Sequence, residues 1–218
     1  MSLAIFDLDN TLIAGDSDHQ WGEFLVEKKL VDEDEYRRQN DRFFEDYKNG
    51  ELDIYSFIKF AFAPLARLPI AQLEELRKEF IEKKIKPLRL PKADSLIEWH
   101  KKQGDDLLII TSTNRFITGP IATLLEIDAI LATEPEMLDG RYTGEVTDVP
   151  CFREGKITRL NAWLKGYGGD LQGSYFYSDS ANDIPLLEKV DQPVAVDPDA
   201  ALRSHAEANG WKIISLRG

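Results

Sequence analysis

The chain has a single cysteine, Cys151, in 218 residues, so no intrachain disulfide can form and nothing points to an oxidising compartment. Positive charge is also short, with 27 Lys and Arg against 39 Asp and Glu and a formal charge of -12. Nucleic-acid binding draws on clustered Lys and Arg, and no basic stripe is present, so nucleic acid is not expected as a partner. No apolar run approaches the roughly 20 residues that span a bilayer. A strand-like segment already begins at Leu3, which leaves no room for a signal peptide. The expectation is a cytoplasmic protein with no membrane partner. Repeats and low-complexity tracts are missing as well. The residues are 43% hydrophobic, enough at this length to bury a full core as one domain with an insertion.

Strand-like runs alternate with helical patterns, which predicts an α/β fold with a parallel sheet. The strand candidates are 3–6, 107–110, 130–132, 174–177, 193–196 and 211–216. Helices are expected near 92–102, 115–125, 156–165, 184–190 and 199–208. Asp139-Gly140 between short apolar pairs predicts a hairpin beside the sheet. From Asp16 to Leu88 the pattern changes to charged and aromatic residues at helical spacing, with no convincing strand. This segment reads as an all-helical insertion, residues 16–88, within a core made of 1–15 and 89–218. Within it Trp21, Phe24 and Leu25 share a helix face, as do Phe43, Phe44 and Tyr47, and then Tyr55, Ile58 and Phe62. Core packing is the expected role for most of these, and for Cys151. Gly15 and the stretch from Pro87 to Pro91 are candidate hinges.

The chemistry begins at Ile5-Phe6-Asp7-Leu8-Asp9-Asn10-Thr11. In an extended segment, positions i and i+2 point to one face, so Asp7 and Asp9 can share a site as nucleophile and acid/base. Thr111-Ser112-Thr113-Asn114 follows the apolar run 107–110 and precedes a helix, where it forms either a phosphate pocket or an N-cap cluster. Gly155-Lys156 opens an amphipathic stretch, and Lys156 either neutralises phosphate or lies on the surface. Tyr175-Phe176-Tyr177 runs into an acidic loop, Ser178-Asp179-Ser180-Ala181-Asn182-Asp183. Ligands of such folds bind beyond the carboxyl ends of the strands, which is where Asp7, Thr111 and Asp179 fall.

Together these stretches resemble the four motifs of the haloacid-dehalogenase-like superfamily, more narrowly its phosphoserine-phosphatase-like branch, over nearly the whole chain. The D-x-D-x-T motif is matched by Asp7, Asp9 and Thr11, the strand-ending Ser/Thr by Thr111, and the helix-opening Lys by Lys156. The acidic loop is matched by Asp179, Ser180, Asn182 and Asp183. The resemblance implies a Rossmann-like core with a helical cap, acting as a phosphomonoesterase on a small phosphorylated metabolite. It implies that Asp7 attacks phosphorus and Asp9 moves the proton, while Thr111 and Lys156 grip the phosphate oxygens, Ser112 and Asn182 also bind substrate, and Asn182 closes the acidic loop. It further implies Mg2+ held among Asp7, Asp9 through its backbone carbonyl, Asp179 and Asp183, the last orienting either waters or Lys156. A dehalogenase needs neither Asp9 nor the acidic fourth motif. A phosphomutase or a non-catalytic relative would keep the same residues.

The leaving group is read less directly. Relatives that cleave phosphoserine pair an acidic residue shortly after the first motif with a cap arginine. Asp16 stands at that acidic position, as amine ligand or helix N-cap, with Asp18 and Glu23 as alternates. Arg37, Arg38, Arg42 and Arg67 are candidates for the arginine by position only, and His19 is a candidate substrate contact. Asp16-Ser17 before an aromatic helix, together with Cys151-Phe152-Arg153-Glu154-Gly155-Lys156, is more similar to a bacterial group containing histidinol-phosphate phosphatases. That substrate has an amine and an imidazole but no carboxylate, which suits acidic and aromatic cap residues.

Overall fold

The computed structural model describes residues 2–217. In chain order, β1 (Leu3–Phe6) is followed by four helices, α1 (Ser17–Glu27), α2 (Glu33–Lys48), α3 (Ile54–Arg67) and α4 (Ile70–Phe80). Then come α5 (Pro91–Gln103), β2 (Asp106–Asn114), α6 (Arg115–Leu124), β3 (Ala129–Thr133) and the pair β4 (Pro135–Leu138) and β5 (Arg141–Val146). The chain ends with α7 (Glu154–Tyr167), β6 (Tyr175–Ser178), α8 (Ile184–Leu187), β7 (Gln192–Val196), α9 (Ala200–Asn209) and β8 (Lys212–Ile214).

Six strands form one sheet in the order β3-β2-β1-β6-β7-β8, with every pairing parallel. β1 lies at its centre and is buried throughout, as a strand covered on both faces must be. Its alternation feeds two cores. Leu3 and Ile5 join Leu108, Phe176 and Leu160 on one side, while Ala4 and Phe6 join Ile109, Tyr177 and the inserted helices on the other. Phe6 pairs with Ile109 and Tyr177, so the residues just beyond all three strands meet at one edge.

The inserted segment is helical as expected, closing with a π-helical turn (Ile81–Ile85) and a 3-10 turn (Lys86–Leu88). Asp16, Asp32 and Asp53 cap α1, α2 and α3 by accepting backbone N–H groups. Gly22 lets α2 approach α1, since a Cβ there would sit 2.6 Å from the Asn40 side chain. Trp21, Phe24 and Phe80 form one aromatic cluster, which reaches the sheet-covering helix α6 through Phe116, 5.7 Å from Trp21. Two linkers join the insertion to the sheet side by side, Ala14 N–H donating to the Leu88 carbonyl at 2.8 Å.

Departures from the sequence reading are local. β2 continues through Asn114 instead of ending at Ile110, with an irregularity in its pairing to β3. The helix expected over 184–190 is a single turn, Ile184–Leu187, preceded by a 3-10 turn. Tyr55 does not share the buried face of Ile58 and Phe62 and is 57% exposed. The hairpin has the expected turn, Asp139 and Gly140 both taking positive φ, which matches a primed turn. Among the described residues, no single helix is long and apolar enough to cross a membrane.

Candidate active site

Asp7 follows the last residue of β1 and is anchored by its N–H to the Tyr177 carbonyl at 2.9 Å. Beyond it the chain turns tightly, the Leu8 carbonyl accepting from Leu12 N–H at 2.9 Å while Asn10 takes a left-handed φ of 58°. This turn brings Thr11 to Asp179, to which its hydroxyl donates at 3.0 Å. Asp9 accepts from Ser17 N–H at 2.6 Å and from the Thr113 hydroxyl at 2.8 Å.

Lys156 is 1% exposed, not a surface lysine. Its Nζ lies 2.8 Å from Asp7 Oδ1 and 2.7 Å from Asp183 Oδ1, and Asp183 also accepts from the Ser178 hydroxyl at 2.7 Å. It reaches inward because Gly155 lets the first turn of α7 close on Pro150, whose carbonyl would be 2.0 Å from a Cβ at that position. Burial works against the ammonium charge, but Asp183 and Asp7 outweigh it and hold the Lys156 pKa well above its usual value. Asp7 bears the cost of desolvation, and its pKa is pushed up to about 7 although Lys156 opposes the shift. Burial and then the charge of Asp16 push Asp9 up to about 7 as well. Asp179 is raised well above the carboxylate range, first by burial and then by Asp7.

A cavity of about 40 Å3 opens over Asp7 and Asp9, with Ser112 and Thr113 on the core side and Asp16, Asp18 and Asn40 on the cap side. Phe43, Phe44, Tyr47 and Phe57 supply aromatic walls. Asp16 caps α1 by accepting from His19 N–H at 2.8 Å and also lines the cavity. Asp18 accepts from Asn114 Nδ2 at 3.3 Å, and its pKa is raised well above normal by burial and then by Asp16 and Asp9. His19 lies at the wall with Nε2 2.9 Å from Asp41 Oδ1.

The structure therefore gathers Asp7, Asp9, Lys156, Asp179 and Asp183 and opens Asp16 and Ser112 onto the same cavity. Thr111 is buried with its hydroxyl accepting from Thr113 N–H at 3.2 Å, away from the cavity wall. Asp183 spends its carboxylate on Lys156 and Ser178, which places it behind the lysine and not as a free metal ligand. Asn182 does not face the cavity; its Nδ2 donates to the Tyr47 carbonyl at 3.1 Å. Glu23 is engaged by Arg37, and Arg37, Arg38 and Arg42 pair with acids of their own helices or neighbours, while Arg67 bonds Ala63 O; none of them lines the cavity. Thr113, read in the sequence only as one of the Thr111 to Asn114 cluster, is the hydroxyl of that cluster that reaches Asp9 and lines the cavity. Cys151 is a packing residue, fully buried with its thiol pushed up to about 12 by that burial.

The haloacid dehalogenase-like hydrolase family profile matches residues 4–188. The chain belongs to that family. It is 49% identical to the histidinol-phosphatase of Neisseria meningitidis serogroup C (strain 8013) over 99% of both chains. A Bordetella pertussis Tohama I crystal structure of unknown function superposes with a TM-score of 0.93 at 43% identity, covering 99% of this chain and 98% of that one. A phosphoserine phosphatase solved as a phospho-aspartyl intermediate analogue shares the fold, with a TM-score of 0.73 at 19% identity over 99% of this chain and 93% of that one. The enzyme is thus a phosphatase of the haloacid dehalogenase-like family.

Proposed function

We propose that the enzyme hydrolyses histidinol phosphate through an aspartyl-phosphate intermediate on Asp7, which would place it in histidine biosynthesis. The observation that carries this reading is the cavity wall beside Asp7, which offers the carboxylates Asp16 and Asp18 and four aromatic rings but no Lys or Arg among the described residues. A leaving group bearing an ammonium and an imidazole is matched by such a wall; a free carboxylate would meet only like charge. The identity to the Neisseria histidinol-phosphatase supports the same substrate.

In this reading Asp7 attacks phosphorus in line with the ester oxygen, the P–O bond to the leaving group breaks, and Asp9 gives its proton to the alkoxide. Asp9, then ionised, takes a proton from the water that attacks the aspartyl phosphate, which restores Asp7 and releases orthophosphate. Ser17 N–H and the Thr113 hydroxyl hold both Asp9 oxygens, so the carboxyl is oriented for both transfers. Lys156 and the backbone around Thr111 and Ser112 steady the phosphate oxygens, and Asp183 keeps Lys156 charged and in place.

Buried Asp7 and Asp183 and half-buried Asp9, Asp16, Asp18 and Asp179 outnumber Lys156, the one buried lysine among the described residues, and Asp7, Asp9, Asp16, Asp18 and Asp179 are pushed toward protonation, so the site is short of positive charge. Hard carboxylate and carbonyl oxygens in that setting fit Mg2+. Asp7, Asp179 and the Asp9 carbonyl would hold it, and it would supply charge neutralisation for the incoming dianion.

A cavity of about 40 Å3 is far below the several hundred Å3 a metabolite occupies, so the helical segment 16–88 acts as a cap that lifts to admit substrate. The test is release of orthophosphate from a panel holding histidinol phosphate, phosphoserine and sugar phosphates, with magnesium and then with a chelator. Histidinol phosphate should give the highest kcat/KM. Preference for phosphoserine would overturn the substrate assignment, and sugar isomerisation without orthophosphate would overturn hydrolysis itself.

A further inference from the structure

Arg153, in the segment Cys151 to Lys156, has a side chain that the reaction just described leaves unused. It precedes α7 with φ 48° and ψ -122°, the backbone shape of the first corner of a II′ turn, where glycine is least strained. Such a shape persists at a bulky residue only where surrounding contacts fix it.

Those contacts run to both sides of the boundary between cap and core. Arg153 Nε donates to Asn182 Oδ1 at 3.0 Å, and its Nη2 donates to the Gly50 carbonyl in the turn between α2 and α3. The guanidinium carbon lies 5.0 Å from the Phe152 ring centroid, a cation-π distance. Asn182 completes the connection through its bond to the Tyr47 carbonyl at 3.1 Å. Among the described residues no carboxylate pairs with Arg153, so in a chain with 39 acids this guanidinium is committed to neutral oxygens.

We propose that Arg153 is a positioning residue that latches the cap, tying the α2–α3 turn through Asn182 to the loop that carries Asp179 and Asp183. The chain itself joins cap to core at Ala14 and Leu88, and the hydrogen bonds of Arg153 and Asn182 join them again at Tyr47 and Gly50. At the Tyr47–Gly50 end of the cap, which lies away from the chain linkers, opening requires those bonds to break. Because the Tyr47 ring also lines the cavity, closing the latch sets the leaving-group wall and the acidic loop in one movement. The contact itself needs no substrate; its kinetic consequence rests on the phosphatase reading.

Arg153→Gly tests this, because glycine suits the backbone at that position and folding should persist. Arg153→Lys keeps the charge but cannot reach both oxygens as a fork. Backbone hydrogen exchange over residues 46–53 in the substrate-free protein should accelerate about tenfold in the glycine variant, with β1 and β6 unchanged, as expected for loss of one or two such bonds. Its kcat/KM on an aryl phosphate with magnesium should fall by about the same factor, partly recovered in the lysine variant and by added guanidinium. Unchanged exchange in the glycine variant overturns the latch. Faster exchange with undiminished turnover also overturns it, since the contact would then be structural only. If the unaltered protein releases no orthophosphate while exchange still accelerates, the contact stands and the phosphatase reading falls.

Discussion

The Thr113 hydroxyl donates to Asp9 Oδ2 at 2.8 Å, joining the end of β2 to the carboxyl proposed to move the proton. This bond favours ionised Asp9, so its loss raises a pKa that burial has already lifted. Thr113→Val, nearly equal in volume, is expected to lower kcat roughly tenfold. The limb of the pH–rate profile governed by Asp9 should move to higher pH, which a kcat/KM profile across neutral pH checks.

Asp7→Asn removes the proposed nucleophile but leaves Lys156 paired with Asp183. Orthophosphate release should fall by at least about 10^4-fold. The melting temperature should hold or rise, because the replaced carboxylate is one that burial destabilises. Lys156→Met, by contrast, leaves Asp7 and Asp183 buried without a cation and should cost about 3–5 kcal/mol, measurable by denaturant unfolding.

Asp7 and Asp9 have folded pKa values near 7 against 3.8 as reference, so the folded protein binds more protons than the unfolded chain between those values. Their contribution to stability is therefore present in full below about pH 4 and is lost as the pH rises toward 7. Magnesium should offset that loss. Its stabilising effect, read as the shift in melting temperature on addition or chelation, should be larger at pH 8 than at pH 5. An equal shift at both would show that these carboxylates do not bind the ion.

Asp18 faces the cavity with Asn114 as its hydrogen-bond partner and no cation beside it. Asp18→Asn should raise KM for histidinol phosphate about tenfold or more, the value of a lost charge-assisted contact, and change little the KM of an aryl phosphate whose leaving group is uncharged. Equal effects on both substrates would remove Asp18 from leaving-group recognition.

Much of the architecture was legible along the chain because it depends on local periodicity. The alternation of Leu3, Ala4, Ile5 and Phe6 marks a strand covered on both faces, and the polar residues after each apolar run fall at the carboxyl edge of the sheet. Asp139-Gly140 carries its own turn geometry. Thr113 was legible as a member of the polar cluster that ends β2, but not as the hydroxyl of that cluster that reaches Asp9. Nothing local distinguished Lys156 from a surface lysine, Phe43 and Tyr47 from packing aromatics, or the outward-facing arginines from carboxylate ligands.

The sequence by itself determined the family, the parallel sheet and the order in which the chemically capable residues arrive, since each is written in short-range pattern and residue type. Only the tertiary structure decided that Lys156 is buried between Asp7 and Asp183, that Asp183 faces the lysine, and that Asn182 reaches the cap instead of the cavity. Those outcomes depend on contacts among the end of β1, the start of α7, the acidic loop and the end of α2, between residues 27 to 149 positions apart, a separation at which no local pattern records the meeting.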